Sequence, residues 1–113
     1  MTKMRDLLEP EFIHFDLQAT TKNAAIRELT NAFVTKGVVK NDSVYLAAVM
    51  KREEESTTGI GFGVAIPHGK SAAVTKPALG FGRSQIGIEY DSMDNKPVHL
   101  IFLIAVPETS NDE

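Results

Sequence analysis

Val98-His99-Leu100-Ile101-Phe102-Leu103-Ile104-Ala105-Val106 is apolar at nearly every position. A strand with one wet face alternates apolar and polar residues, whereas a near-continuous apolar run marks a central strand covered on both faces. The run therefore predicts an α/β fold in three layers, a mixed sheet with helices on both faces. Upstream, Glu11-Phe12-Ile13-His14-Phe15-Asp16-Leu17 alternates with period two, the pattern of a half-buried strand. Thr20 or Thr21 then offers a cap to a helix whose apolar positions Ala25, Ile26, Leu29, Ala32 and Phe33 recur at three and four, ending near Gly37. A second helix starts from Asn41, Asp42 or Ser43, turns Tyr45, Leu46, Val49 and Met50 inward, and closes at Lys51-Arg52-Glu53-Glu54-Glu55. Residues 64–66, 78–82 and 86–88 read as short strands, and Asp91-Ser92-Met93-Asp94-Asn95 as a turn.

A strand buried on two faces needs cover, yet Pro107 is followed by Glu108-Thr109-Ser110-Asn111-Asp112-Glu113, all polar or loop-forming. Two helices cover one face and leave an apolar patch on the other for a further segment or a second copy. The expectation is a fragment of a longer polypeptide, or self-association. Residues 1–113 otherwise read as one domain, with an ordinary globular balance of 42% apolar and 24% charged residues. No apolar run is long enough to span a bilayer, and Met1-Thr2-Lys3-Met4-Arg5-Asp6 lacks a secretory pattern, so a cytoplasmic location is expected. The absence of cysteine excludes disulfides and thiolate chemistry. A net charge of -3 with scattered lysines and arginines argues against nucleic acid as a partner.

The chemistry concentrates in Ser56-Thr57-Thr58-Gly59-Ile60-Gly61-Phe62-Gly63-Val64-Ala65-Ile66-Pro67-His68-Gly69-Lys70. Val64-Ala65-Ile66 should be buried, Pro67 fixes the backbone and Gly69 clears space beside the ring, so His68 is presented at the end of a strand. A presented imidazole flanked by flexible glycines and a cation suits a nucleophile or proton carrier that meets a large partner. The glycines do not form a dinucleotide fingerprint, which needs a strand before and a helix after; here the order is reversed. His14, His68 and His99 include no close-spaced ligand pair, so no metal and no cofactor are expected. His99 reads as a bonded strand residue and His14 as a solvent-facing one. Glu89, Asp91 and Asp94 read as loop and strand-edge residues that keep the surface soluble. Taken alone, Arg52 is a helix-end residue pairing with Glu53, Glu54 and Glu55 or offsetting the helix dipole.

Arg52-Glu53, Ser56-Thr57-Thr58-Gly59-Ile60-Gly61 and Val64-Ala65-Ile66-Pro67-His68-Gly69-Lys70 together resemble the active-site signature of a known family. It is that of the IIA domains of the bacterial phosphoenolpyruvate-dependent sugar phosphotransferase system (PTS), fructose-mannitol class. The resemblance continues through Asp16-Leu17-Gln18-Ala19, Lys76-Pro77-Ala78-Leu79-Gly80-Phe81-Gly82-Arg83-Ser84 and Lys96-Pro97-Val98-His99, and is most like the fructose-specific members. It implies that His68 accepts a phosphoryl group from the phosphocarrier HPr and passes it to a IIB domain, which phosphorylates sugar crossing a IIC membrane component. It implies a cytoplasmic domain, tethered to the membrane where it is joined to IIB and IIC. Arg52 matches a family position near the active histidine and is the first candidate to pair with phosphate oxygens, with Lys70 second and the Gly69 amide a further donor. The family continues past the position of Glu113 with helices, and many members carry a second histidine there. The alternative within the resemblance is a regulatory module switched by phosphorylation of the same histidine.

Overall fold

Thr21 and Asn41 start the helices of the computed structural model, which describes residues 8–108. In α1 (Lys22–Thr35) the Ala24 amide donates to Thr21 Oγ1 at 3.4 Å, and in α2 (Asp42–Glu55) the Val44 amide donates to Asn41 Oδ1 at 3.2 Å. Each cap satisfies an amide that has no partner within its helix, worth about 1 kcal/mol. Helix α1 buries Ala25, Ile26, Leu29 and Phe33, as the spacing predicts, and α2 buries Tyr45 and Val49. Gly37, at φ 78°, turns the chain out of α1 in a conformation that glycine adopts without a Cβ penalty.

The strands are β1 (Ile13–His14), β2 (Gly59–Gly61), β3 (Val64–Ala65), β4 (His68–Ser71), β5 (Ala78–Ile88) and β6 (Val98–Pro107). They form one mixed sheet in the order β1-β5-β6-β3-β2, with β4 also paired to β6. The apolar run is indeed the central strand: β6 lies antiparallel to β5 on one side and parallel to β3 and β4 on the other.

Register decides which face each residue serves, because successive side chains alternate. Gly69, Ala105 and Ala78 are cross-strand partners, as are Leu103 and Gly80. A Cβ on Gly69 would meet Val49 and Tyr45 of α2, and one on Gly80 would meet Phe33 of α1. Both helices therefore pack on the same face, over Ile101, Leu103 and Ala105, which are fully buried. The opposite face carries Leu100, Phe102, Ile104 and Val106 of β6, all half-buried, beside Phe81 of β5. Phe15 extends it, with its ring 6.2 Å from that of Phe81 and 58% exposed. The mixed sheet and its helices follow the sequence reading, but among the described residues the helical layer is on one face and the other is open. The tail at residues 109–113 and the start at residues 1–7 lie outside the described residues.

Three boundaries differ from the sequence pattern. The first strand is short because Pro10, whose ring fixes φ near helical values, opens a 3-10 turn (Pro10–Phe12) where the alternation predicts an extended chain. Residues 78–82 and 86–88 are one strand: β5 shifts register between Arg83 and Ile88. Gly87, at φ 99°, donates its N–H to Ser84 Oγ at 2.9 Å within that irregularity. His68 opens β4 instead of closing a strand. Pro67 cannot donate to the ladder, so β3 stops before it, while its carbonyl still accepts from the Ile104 amide at 3.0 Å and brings the chain back onto β6.

Candidate functional site

The alternation that turns Gly69 toward α2 turns its neighbours the other way. His68, opposite Ile104, and Lys70, opposite Val106, therefore project from the open face of the sheet. Two strand residues on one face lie about 7 Å apart, so the exposed Lys70 follows His68 along the same edge. His68 is half-buried. Its ring Nδ1 lies 3.0 Å from the Ile66 carbonyl oxygen. A carbonyl can only accept, so Nδ1 carries the proton and Nε2 the lone pair. The ring is thus held by its own turn, with Nε2 left without a hydrogen-bond partner among the described residues. Ile66 is half exposed instead of buried as expected, and of the apolar triplet Ala65 alone is fully buried.

Gly69 has a steric role. A Cβ at this position would come within 2.7 Å of Val49 Cγ2 and 3.2 Å of the Val49 backbone nitrogen. Alpha-helix α2 therefore packs directly onto the backbone beside His68. Tyr45 reinforces the contact by donating its hydroxyl to the Ile104 carbonyl at 2.9 Å, opposite His68. Burial keeps the Tyr45 phenol well above its ordinary titration range.

Arg52 sits in the last turn of α2 and donates Nη1–H to the Ser56 carbonyl at 2.7 Å. It binds no carboxylate of residues 53–55; it secures the end of the helix and the start of the active segment. Arg52 as a whole is half-buried. Arg52 and His68 are joined through backbone: the Ile66 amide donates to the Thr58 carbonyl at 3.0 Å, two residues beyond Ser56. The glycines expected to be flexible are ordered as the β2–β3 hairpin, with Phe62 at its tip at φ 59° and 98% exposed. The Phe62 amide donates to Asp94 Oδ2 at 3.1 Å. A cavity of about 610 Å³ lies beside this hairpin, lined by Phe62, Met93, Asp94 and His99 among others, and does not include His68.

Glu53 is the residue that sequence reasoning missed. Sequence reasoning offers it only as a charge partner for Arg52 and as part of the Arg52-Glu53 motif, yet it is 8% exposed. Its Oε1 accepts from the Thr58 amide at 3.2 Å and faces Lys22 Nζ at 3.2 Å. Its Oε2 accepts from the Thr58 and Tyr90 hydroxyls, the latter at 3.0 Å. Lys22 also lies 4.7 Å from the Tyr90 ring centre. Burial is the main cause that lifts the Tyr90 phenol above its ordinary range; the Thr58 hydrogen bond opposes it and the Glu53 charge adds to it. Besides its place in the Arg52-Glu53 motif, a hint was spacing: Glu53 follows Val49 and Met50 at four and three, on the inward stripe of the helix. His99 is bonded as expected, Nδ1 to the Ser84 carbonyl at 2.8 Å. His14 is not solvent-facing: it is half-buried, and its Nε2 is buried without a partner among the described residues.

Residues 6–112 match a family model described as phosphoenolpyruvate-dependent sugar phosphotransferase system, EIIA 2. The chain is 40% identical over 113 residues to the PTS system fructose-specific EIIA component of Haloferax volcanii, spanning 100% of this chain and 73% of that protein. It is 39% identical over 110 residues to the PTS system fructose-specific EIIABC component of Bacillus subtilis, spanning 97% of this chain and 17% of that longer protein. Among solved structures, nitrogen regulatory protein IIA-Ntr from Neisseria meningitidis is similar with a TM-score of 0.82 at 31% identity, over 93% of this chain and 71% of that one.

Proposed function

This chain belongs to the EIIA 2 family of the phosphoenolpyruvate-dependent sugar phosphotransferase system, and on that premise we propose that His68 is its phosphoryl carrier, charged by HPr and discharged to a IIB domain. The observation that carries the reading is the bond from His68 Nδ1 to the Ile66 carbonyl. It fixes the tautomer in which Nε2 has the lone pair, so Nε2 is the attacking nitrogen. In the proposed step the Nε2 lone pair forms a P–N bond in line as the donor's bond to phosphorus breaks, and the leaving imidazole keeps those electrons. The proton stays on Nδ1, donated in a hydrogen bond to the Ile66 carbonyl, which stabilises the positive charge the ring gains. The second transfer reverses these roles toward the acceptor.

Charge on the moving phosphoryl group is spread over three oxygens, and the candidates to meet it are the cations Lys70 and Arg52. Lys70 projects from the same face as His68, and Arg52 has guanidinium donors beyond the one spent on Ser56. Gly69 contributes by letting α2 approach, which stiffens the strand that carries the histidine. A fructose transporter is the context that the relatives' names support, with the domain working on the cytoplasmic side and reaching IIC through IIB. No helix among the described residues is long and apolar enough to cross a membrane. A second reading, a regulatory module in which phosphorylation of His68 switches a protein contact, is favoured by the structural likeness to the nitrogen regulatory protein.

Incubation with phosphoenolpyruvate, enzyme I and HPr, read by intact mass, tests the carrier role. One acid-labile phosphoryl group is expected, and none on His68→Ala. Equal labelling of that variant would refute the assignment. Transfer onward to a IIB domain, against release only by hydrolysis, separates the transport reading from the regulatory one.

A further inference from the structure

We propose that Glu53 is a positioning residue that sets the tautomer and aim of His68 through the backbone of Thr58 and Ile66. The inference rests on His68 being the phosphoryl acceptor. A buried carboxylate is costly to keep, and its side chain here is 4% exposed, so what it holds is informative. Both of its oxygens are engaged, and two of the four contacts go to one residue, the amide and hydroxyl of Thr58. Thr58 is where the active segment leaves α2 and enters β2. Its carbonyl takes the Ile66 amide at 3.0 Å, and the Ile66 carbonyl takes His68 Nδ1 at the same distance. A shift of Thr58 therefore moves the acceptor that decides which imidazole nitrogen carries the proton. Lys22 balances the buried charge from the start of α1, and Tyr90 closes the cluster from the loop after β5. Three separate segments thus converge on a residue that makes no hydrogen bond to the histidine.

The identity of the acceptor, not its charge, is what the geometry uses. A glutamine at position 53 keeps an oxygen for the Thr58 amide and Lys22, and its NH₂ can donate to the two hydroxyls once they rotate. The expected results follow for the unphosphorylated full chain with nitrogen-15 histidine. Wild type shows His68 as the Nδ1–H tautomer. Glu53→Ala shows a mixture of tautomers and transfers phosphate from phospho-HPr about 100-fold more slowly, the scale of a misplaced reacting group. Glu53→Gln restores the single tautomer and most of the rate. If Glu53→Ala does not fold, Thr58→Val, which removes the hydroxyl's contacts to Glu53 and Tyr90 but keeps the amide's, gives a partial mixture and an intermediate rate. A folded Glu53→Ala with an unmixed Nδ1–H tautomer overturns the proposal, as does a Glu53→Gln no better than Glu53→Ala. Failure of the wild type to take phosphate would instead count against the carrier reading, since the tautomer is read before any transfer.

Discussion

Alanine in place of Gly59 probes the join between the active segment and the 91–95 loop. The new Cβ would lie 2.9 Å from Ser92 Cα and Oγ and 3.0 Å from Ser92 Cβ. Carbon atoms in contact sit about 3.5–4.0 Å apart, so one or other backbone must move by several tenths of an ångström. Ser92 has little freedom to retreat: it is 4% exposed, the Met93 amide donates to the Gly59 carbonyl at 2.8 Å, and the Asn95 amide to the Ser92 carbonyl at 2.9 Å. Overpacking of this kind costs about 1–3 kcal/mol. Gly59 does not occupy the left-handed region, so alanine also restricts the unfolded chain and returns about 0.4–1 kcal/mol. The net loss is about 1–2 kcal/mol, a fall in Tm of about 5–15 °C for a domain of this size. Thermal and urea denaturation followed by circular dichroism measure it. Ser92→Gly added to Gly59→Ala should recover part of the loss, because Oγ and Cβ go but Cα stays. A Gly59→Ala chain as stable as wild type, with no coupling to Ser92, would refute the reasoning.

Arg52→Ala should slow phosphoryl transfer by about 100-fold, the effect of losing one transition-state donor, while Arg52→Lys recovers only part because a single ammonium cannot bond Ser56 and phosphate together. Stopped-flow transfer from phospho-HPr checks it, and a normal rate with reduced stability would return Arg52 to a helix-end role. Asp94 is held below the ordinary carboxylate value of 3.8, first by the Lys96 amide and then by the Phe62 amide. Its folded value being the lower one, Asp94 contributes stability that is present above the unfolded value and lost as pH falls through the folded one. Asp94→Asn should therefore flatten the acid limb of the urea midpoint as pH falls from ~5 through the lowered folded value; an unchanged limb would remove Asp94 as its source.

Much of this was written in local pattern. The run from Val98 to Val106 could only be a strand with neighbours on both sides, and β6 is the strand that β3, β4 and β5 all join. Caps and three-four spacing located both helices, because those signals act within one turn of chain. His68 was legible for a similar reason: a proline before it and a glycine after it constrain its own backbone, and the surrounding residues carry a specific motif. Strand boundaries were less so, since ladder length depends on the partner strand: residues 78–88 pair as one unit because β6 runs beside them, which their own sequence does not express.

What the tertiary structure alone decided was direction and partnership. Alternation says that His68 and Gly69 face opposite ways, but which of them meets the helices follows from the close packing of Val49 on Gly69. The nitrogen left free of a hydrogen bond is set by a carbonyl two residues away, and the Ile66 amide bonds Thr58, which Glu53 holds. Glu53 looks like any surface glutamate in sequence because its partners, Lys22 and Tyr90, lie far from it along the chain and reach it only when the sheet has formed. Local geometry is encoded locally; a buried charge is explained by residues distant in sequence, since only the assembled fold brings it enough donors to leave water.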